Sequence, residues 1–209
     1  MARIEKVFDA PGPHPNGMQA TPEGIWFLDQ ETNQVQLVSY EGTILKTLDT
    51  ASDRGSGVTE VGGALWLAST YNCKILKVDR ETGATLAEFS TPGAGKTGAH
   101  GLEWRDGRLW MSVPPSATIY EVDVADGFTV RHSFPAPGNR PHGLGWEGDD
   151  LWCVETNLRA IFRMNPRTGA ILRKVELSAA DPEPHGMTIR DGNLWYSDAT
   201  TRAVCRMAL

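Results

Sequence analysis

Three of the five histidines, His100, His142 and His185, each stand immediately before a glycine, at near-equal intervals along the chain. The same place is held by Asn16 and Ser56 in two earlier segments. At a second recurring position stand Asp29, Ser69, Val113, Glu155 and Asp198, and two residues before the first position stand His14, Arg54, Gly98, Arg140 and Glu183. Imidazoles and carboxylates gathered in a narrow space can hold a divalent cation, whose charge offsets the cost of bringing them together. They can also supply a general base. A structural use is equally open: a histidine before glycine can cap a strand by bonding to nearby backbone, and recur because its segment was duplicated. Only the last segment joins such a histidine, His185, to a carboxylate two residues earlier, Glu183, and to another at the second position, Asp198. That density makes His185 the leading candidate for a base or a ligand, with His142 as its companion. His100, His142, His185, Glu183 and Asp198 form the candidate metal set, and Asn16, Asp29, Arg140 and Glu155 are candidates for substrate contact.

These residues meet only if the elements carrying them are copies set around an axis. A Trp preceded by Leu or Ile occurs five times, at Trp26, Trp66, Trp110, Trp152 and Trp195, with a glycine nine residues before each, at Gly17, Gly57, Gly101, Gly143 and Gly186. Each unit of about 40 residues reads as four short strands separated by Gly- or Asp-containing turns, with no helical period, which is the pattern of a propeller blade. The expected fold is all-β: a five-bladed β-propeller of four-stranded blades over residues 14–49, 55–90, 98–135, 140–177 and 183–209, in a single domain spanning 1–209. The last unit stops after its third strand, and the N-terminal run ARIEKVFDAPGPHPNGM matches ILRKVELSAADPEPHGM at the end of the fourth. Residues 1–9 are therefore expected to complete the fifth blade and close the ring, which removes an open edge. In such a ring the first strand of each blade is innermost. The histidine position then lies at one mouth of the channel, beside the end of the second strand, while the tryptophans pack blade against blade.

Composition narrows the partners. The chain has 209 residues, 40% of them apolar, and a formal charge of −6 with no clustered basic stripe, so a small molecule is expected as partner and nucleic acid is not. No apolar run is long enough for a membrane helix and no secretory leader is visible, so a cytoplasmic protein without membrane contact, and a monomer, is expected. Cys73, Cys153 and Cys205 lack metal-ligand spacing and read as free buried thiols. GAGKTG at 93–98 lacks the first glycine of a phosphate loop and precedes a strand, so it carries no nucleotide site. His132 falls in an outer strand, away from the channel.

The segments Arg140-Pro-His-Gly143 with Leu151-Trp-Cys-Val-Glu155, and Glu183-Pro-His-Gly186 with Leu194-Trp-Tyr-Ser-Asp198, resemble the streptogramin B lyase (virginiamycin B lyase) family. The resemblance implies a lyase that opens a cyclic depsipeptide by elimination with Mg²⁺ and a histidine base. His142, Glu183 and Asp198 would fall at the metal, and His185 would remove the proton α to the ester carbonyl while the metal polarises that carbonyl. Asp198 stands where the family has glutamate, and the family propeller has seven blades, so the antibiotic substrate is not carried over. The expectation is a metal-assisted lyase or hydrolase for a small ester, lactone or related carbonyl compound, using Mg²⁺, Zn²⁺ or another transition metal. Two alternatives stand beside it: a non-catalytic propeller that binds a ligand or protein through its loops, and a five-bladed cyclase or lactonase with different chemistry on the same rim.

Overall fold

Short runs of alternating and continuous apolar residues, each ended by a turn, leave the chain no way to bury itself except as stacked small sheets. The computed structural model describes residues 3–209; Met1 and Ala2, the first two residues of the expected closing segment, lie outside the described residues. In chain order the strands are β1 (Glu5–Asp9), β2 (Pro15–Ala20), β3 (Ile25–Asp29), β4 (Gln34–Val38), β5 (Ile44–Asp49), β6 (Gly57–Val61), β7 (Ala64–Ser69), β8 (Lys74–Asp79), β9 (Thr85–Ser90) and β10 (Gly101–Arg105). They continue as β11 (Arg108–Val113), β12 (Thr118–Asp123), β13 (Thr129–Pro135), β14 (Pro141–Glu147), β15 (Asp150–Glu155), β16 (Ala160–Met164), β17 (Ile171–Glu176), β18 (Met187–Arg190), β19 (Asn193–Ser197) and β20 (Ala203–Ala208). A 3₁₀ turn at Pro114–Ser116 is the one departure from strand and loop among the described residues.

The strands form five antiparallel four-stranded sheets, so the protein is a five-bladed β-propeller. Four sheets run in chain order, and the fifth is ordered β1-β20-β19-β18, with Glu5 opposite Arg206 and Asp9 opposite Ala203. The N-terminal strand thus finishes the blade that the C-terminus leaves short, and Phe8 meets Phe27 of the first blade edge to face at 6.3 Å.

Five apolar clusters fill the five clefts between blades. Each contains one repeated tryptophan and residues of the following blade: Trp26 with Val58 and Leu65, Trp66 with Leu102 and Met111, Trp110 with Leu144 and Cys153, Trp152 with Met187 and Tyr196, and Trp195 with Met18 and Phe27. All five indoles are buried. Burial of so large an apolar side chain stabilises by several kcal/mol, about 3–5 on truncation to alanine.

The innermost strands touch in turn around the axis, β2 to β6, β6 to β10, β10 to β14, β14 to β18 and β18 to β2. At these contacts the repeated glycines have a steric reason. A Cβ on Gly101 would stand 2.1 Å from the His142 carbonyl oxygen, one on Gly57 2.5 Å from that of His100, and one on Gly186 2.4 Å from that of Asn16. Gly17 faces the Ser56 carbonyl and Gly143 that of His185 in the same way, at 2.8 and 2.9 Å. Gly143 N–H also donates to His185 O at 2.9 Å. Below this ring the channel narrows to a void of about 10 Å³ lined by the glycines and by Met18, Val58, Leu102, Leu144 and Met187, room for about one water.

Two outcomes follow from this packing. Gly101→Ala should cost at least about 1–3 kcal/mol, since the clash is with backbone, whereas Gly95→Ala, whose Cβ would meet only the Pro115 ring at 3.1 Å, should melt like the parent; equal melting of the two variants would refute the steric account. Deleting residues 1–9 should expose the free edge of β20 and promote association at rising concentration, read by light scattering.

Candidate functional site

The residue before each marker glycine enters the inner strand at one end of the channel, and Asn16, Ser56, His100, His142 and His185 form a ring there. Asn16, Ser56, His142 and His185 are buried and His100 is half-buried. The three imidazoles stack edge to face, with centroids 4.6 Å apart for His100 and His142 and 5.1 Å for His142 and His185. His14, two residues before the ring in the first blade, adds a fourth at 6.5 Å from His185. His132 lies in β13, away from this cluster.

Hydrogen bonds decide what each imidazole can do. His100 Nδ1 is 3.0 Å from His142 Nε2. His142 Nδ1 is 3.1 Å from Arg140 O and 2.9 Å from Thr156 Oγ1, and that hydroxyl donates to Pro184 O at 2.8 Å. His185 is held loosely: Nδ1 lies 3.5 Å from Glu183 O, and Nε2 lies 3.6 Å from Glu183 Oε1. The other Glu183 oxygen is 3.5 Å from Arg159 Nη1. Arg140 is exposed at the rim, its side chain bonded at 3.4 Å to Asn157 Oδ1, and it has no carboxylate within ion-pair distance among the described residues.

The carboxylates ending the second strands serve the loops. Asp29 takes His14 N–H on Oδ2 (2.6 Å) and Glu31 and Thr32 N–H on Oδ1 (3.0 and 2.8 Å). Glu155 takes Arg140 N–H on Oε1 (2.5 Å) and Leu158 N–H on Oε2 (2.7 Å). Asp198 takes Glu183 N–H on Oδ2 (2.8 Å) and Thr200 and Thr201 N–H on Oδ1 (2.8 and 2.9 Å). One clamp is therefore repeated in three blades: the carboxylate ties the loop after its strand to the segment entering the inner strand. For Asp198 burial works against ionisation, but the amides of Thr201, Glu183 and Thr200 outweigh it and hold the carboxyl below its ordinary value.

The same burial works against charge on the histidines. His100 is lowered to about 3 by desolvation, with further repulsion from Arg140 and His185. His142 lies well below its ordinary value, chiefly by desolvation and then by His100 and His185. His185 falls to about 4 by desolvation and Arg140, partly opposed by the Glu183 backbone and by Asp198. At neutral pH His100, His142 and His185 are uncharged, with the Asp198 carboxylate beside the last of them.

Placement and expectation part at the metal. His142 has both nitrogens engaged and Asp198 both oxygens, and among the described residues no group of three or more His, Cys, Asp or Glu is arranged to hold an ion. The set His100, His142, His185, Glu183 and Asp198 converges on one mouth without forming such a group: His142 is paired at both nitrogens and Asp198 is clamped by amides, while His100 Nε2, His185 Nε2 and Glu183 Oε1 stay uncommitted among the described residues. Asp29 and Glu155, expected to touch substrate, are likewise sequestered in loop clamps, whereas Asn16 does face the ring, with a buried Oδ1 lacking a partner among the described residues. Two residues had no place in the expected set. His14 was legible as a rim residue from the match between PHPNGM and PEPHGM, but Thr156 has no signal beyond following Glu155. Of the cysteines, Cys153 and Cys205 are buried and Cys73 only partly so; all three are free. Among the described residues no helix is long and apolar enough to cross a membrane.

Comparison with known proteins fits this architecture. No curated protein matches the chain by sequence. A glutaminyl cyclase from Myxococcus xanthus superposes with a TM-score of 0.78 at 10% identity, covering 98% of this chain and 95% of that one. A catalytically inactive virginiamycin B lyase from Staphylococcus aureus, solved with quinupristin, superposes with a TM-score of 0.62 at 23% identity over 93% of this chain and 66% of its own length. A streptogramin B lyase structure superposes at 0.61 and 16% identity, covering 99% of this chain and 97% of that chain. At these identities the superpositions speak for the fold alone, but the family model of the virginiamycin B lyases matches residues 6–209. The chain belongs to the virginiamycin B lyase family.

Proposed function

We propose that the histidine mouth is the active site of a lyase that opens a small cyclic ester by general-base elimination, with His185 as the base. The observation that supports it best is the loosely held, neutral His185 imidazole with the Glu183 carboxylate 3.6 Å from its Nε2. Family membership supports the reaction class.

In this reading the Nε2 lone pair of His185 takes the proton from the carbon α to a carbonyl. The C–H pair becomes a carbon–carbon double bond, the ester C–O bond on the neighbouring carbon breaks, and the ester leaves as a carboxylate. Glu183 stabilises the imidazolium as it forms, and Arg140 offsets the negative charge that grows on the carbonyl oxygen. The partner remains a small molecule.

With quinupristin as a first trial substrate, and a panel of lactones beside it, His185→Ala should lower the rate by about 10²–10⁴ while the variant still melts cooperatively. A folded variant with parent activity would end the assignment. For the parent, kcat/KM should hold steady from neutral pH downward and fall as the pH drops through about 4, where His185 takes up its proton.

Stability should depend on pH in a related way. The histidines of the unfolded chain take up protons as pH falls through about 6.5, while those of the folded mouth wait until about 4 or lower. The unfolded state then binds more protons, and stability falls as pH drops below about 6.5. Glu103, near the other end of the channel and raised to about 7 by burial, acts in the opposite sense above its ordinary value of 4.5. It is one group against three, so a net loss is expected. Melting temperature against pH should show this slope, and His185→Ala should flatten it; an unchanged slope would mean that His185 is not buried as neutral imidazole.

A further inference from the structure

Two of the three ring histidines differ from His185 in that their protons are assigned by partners. Arg140 O can only accept, so His142 Nδ1 must carry its proton. Thr156 agrees: its hydroxyl hydrogen is spent on Pro184 O at 2.8 Å, so toward His142 it too can only accept. A neutral His142 protonated at Nδ1 has a bare Nε2, and the His100 Nδ1 lying 3.0 Å away must then donate to it. Neutrality of His100 leaves its Nε2 as a lone pair, with no partner among the described residues. It is also not among the sealed polar atoms, so it stays open to solvent at the half-buried end of the cluster.

We propose that Thr156 and His142 are positioning residues that hold His100 in the Nδ1-protonated tautomer, so that its Nε2 faces the mouth as a fixed acceptor for a substrate N–H or O–H. The chain of bonds runs one way, His100 to His142 to Thr156 to Pro184 O, and it ends on the peptide that carries His185. His100 and the proposed base are thereby linked through one buried network. An acceptor that cannot turn into a donor discriminates: a substrate group that also only accepts would leave two lone pairs facing each other, at a cost of about the desolvation of an unpaired polar group. The substrates favoured are therefore carbonyl compounds bearing an amide N–H or a hydroxyl near the reacting carbon. This rests on reading the mouth as the substrate site, while the tautomers can be tested without any substrate.

The experiment is two-bond ¹H–¹⁵N correlation spectroscopy on the whole chain with labelled histidine at pH 7.5. His100 and His142 should both appear as neutral rings protonated at Nδ1. Either one found protonated at Nε2, or as imidazolium, would overturn the proposal, and this arm needs no variant. Thr156→Val leaves Arg140 O as the remaining acceptor for His142 Nδ1, so the tautomers should hold while the His142 ring signals shift with the loss of one partner, and Thr156→Ser should restore the parent signals; a Thr156→Val spectrum identical to the parent would remove Thr156 from the network. As ligand probe, N-methylacetamide, which has an N–H, should move the His100 Nε2 signal more than N,N-dimethylacetamide, which has none. Equal shifts would refute the acceptor role. Failure of the His185 base would show in rates and leave these spectra as expected, so the two readings fall separately.

Discussion

Everything in this propeller hangs on five places where one inner strand meets the carbonyl of the next with no room for a side chain. The marker glycines lie so close to the carbonyls of Ser56, His100, His142, His185 and Asn16 that a methyl group would overlap four of the five at less than about 2.9 Å. Backbone packed against backbone at such range permits one register of neighbouring blades, and five such contacts close a ring with almost no bore. The tryptophan-filled clefts hold the five buried apolar clusters, but apolar packing tolerates some sliding. The glycine contacts do not.

That constraint also builds the site. Fixing the carbonyl of each ring residue against a glycine fixes where its side chain leaves the strand, so neighbouring ring residues are held at one spacing. In a ring of five, the spacing brings His100 and His142 within 3.0 Å of each other. Imidazoles that close satisfy one another and exclude solvent, which is why desolvation leads every downward shift in the cluster. At that distance the two nitrogens share a hydrogen bond, and His142 is committed to the network that continues through Thr156.

Much of this was legible in the residues alone, for reasons that differ by element. The blades could be read because Trp and Gly recur at positions where indole volume and absence of a Cβ are both compulsory. The closing strand could be read because its residues copy those of β17 and its linker. The ring could be read too, since a repeated backbone position implies a repeated location. What the pattern did not report was that the carboxylates ending the second strands hold loops. Asp198, Glu155 and Asp29 look alike as ligands and as loop clamps, and the difference lies in whether backbone amides of Thr200, Leu158 or Glu31 point at them. Amide direction is a property of turns, set by φ and ψ, and no side-chain pattern reports it. Thr156 was invisible for a similar reason: its importance lies in a spent hydrogen.

Scaffold and site are separable in this design. Ring side chains point to the mouth, whereas the groups that hold the blades are glycines on one side and cleft residues on the other. Asn16 and Ser56 occupy the same backbone position as the three histidines and keep the same glycine contact. The position therefore accepts amide, hydroxyl or imidazole without disturbing the closure. The ring can vary while the frame stays fixed: five equivalent backbone positions share one geometry, and their side chains differ. The asymmetry of the mouth follows: histidines gather in the last three blades, with Arg140 and Glu183 placed on two of them, and the proposed base lies where the carboxylate stands.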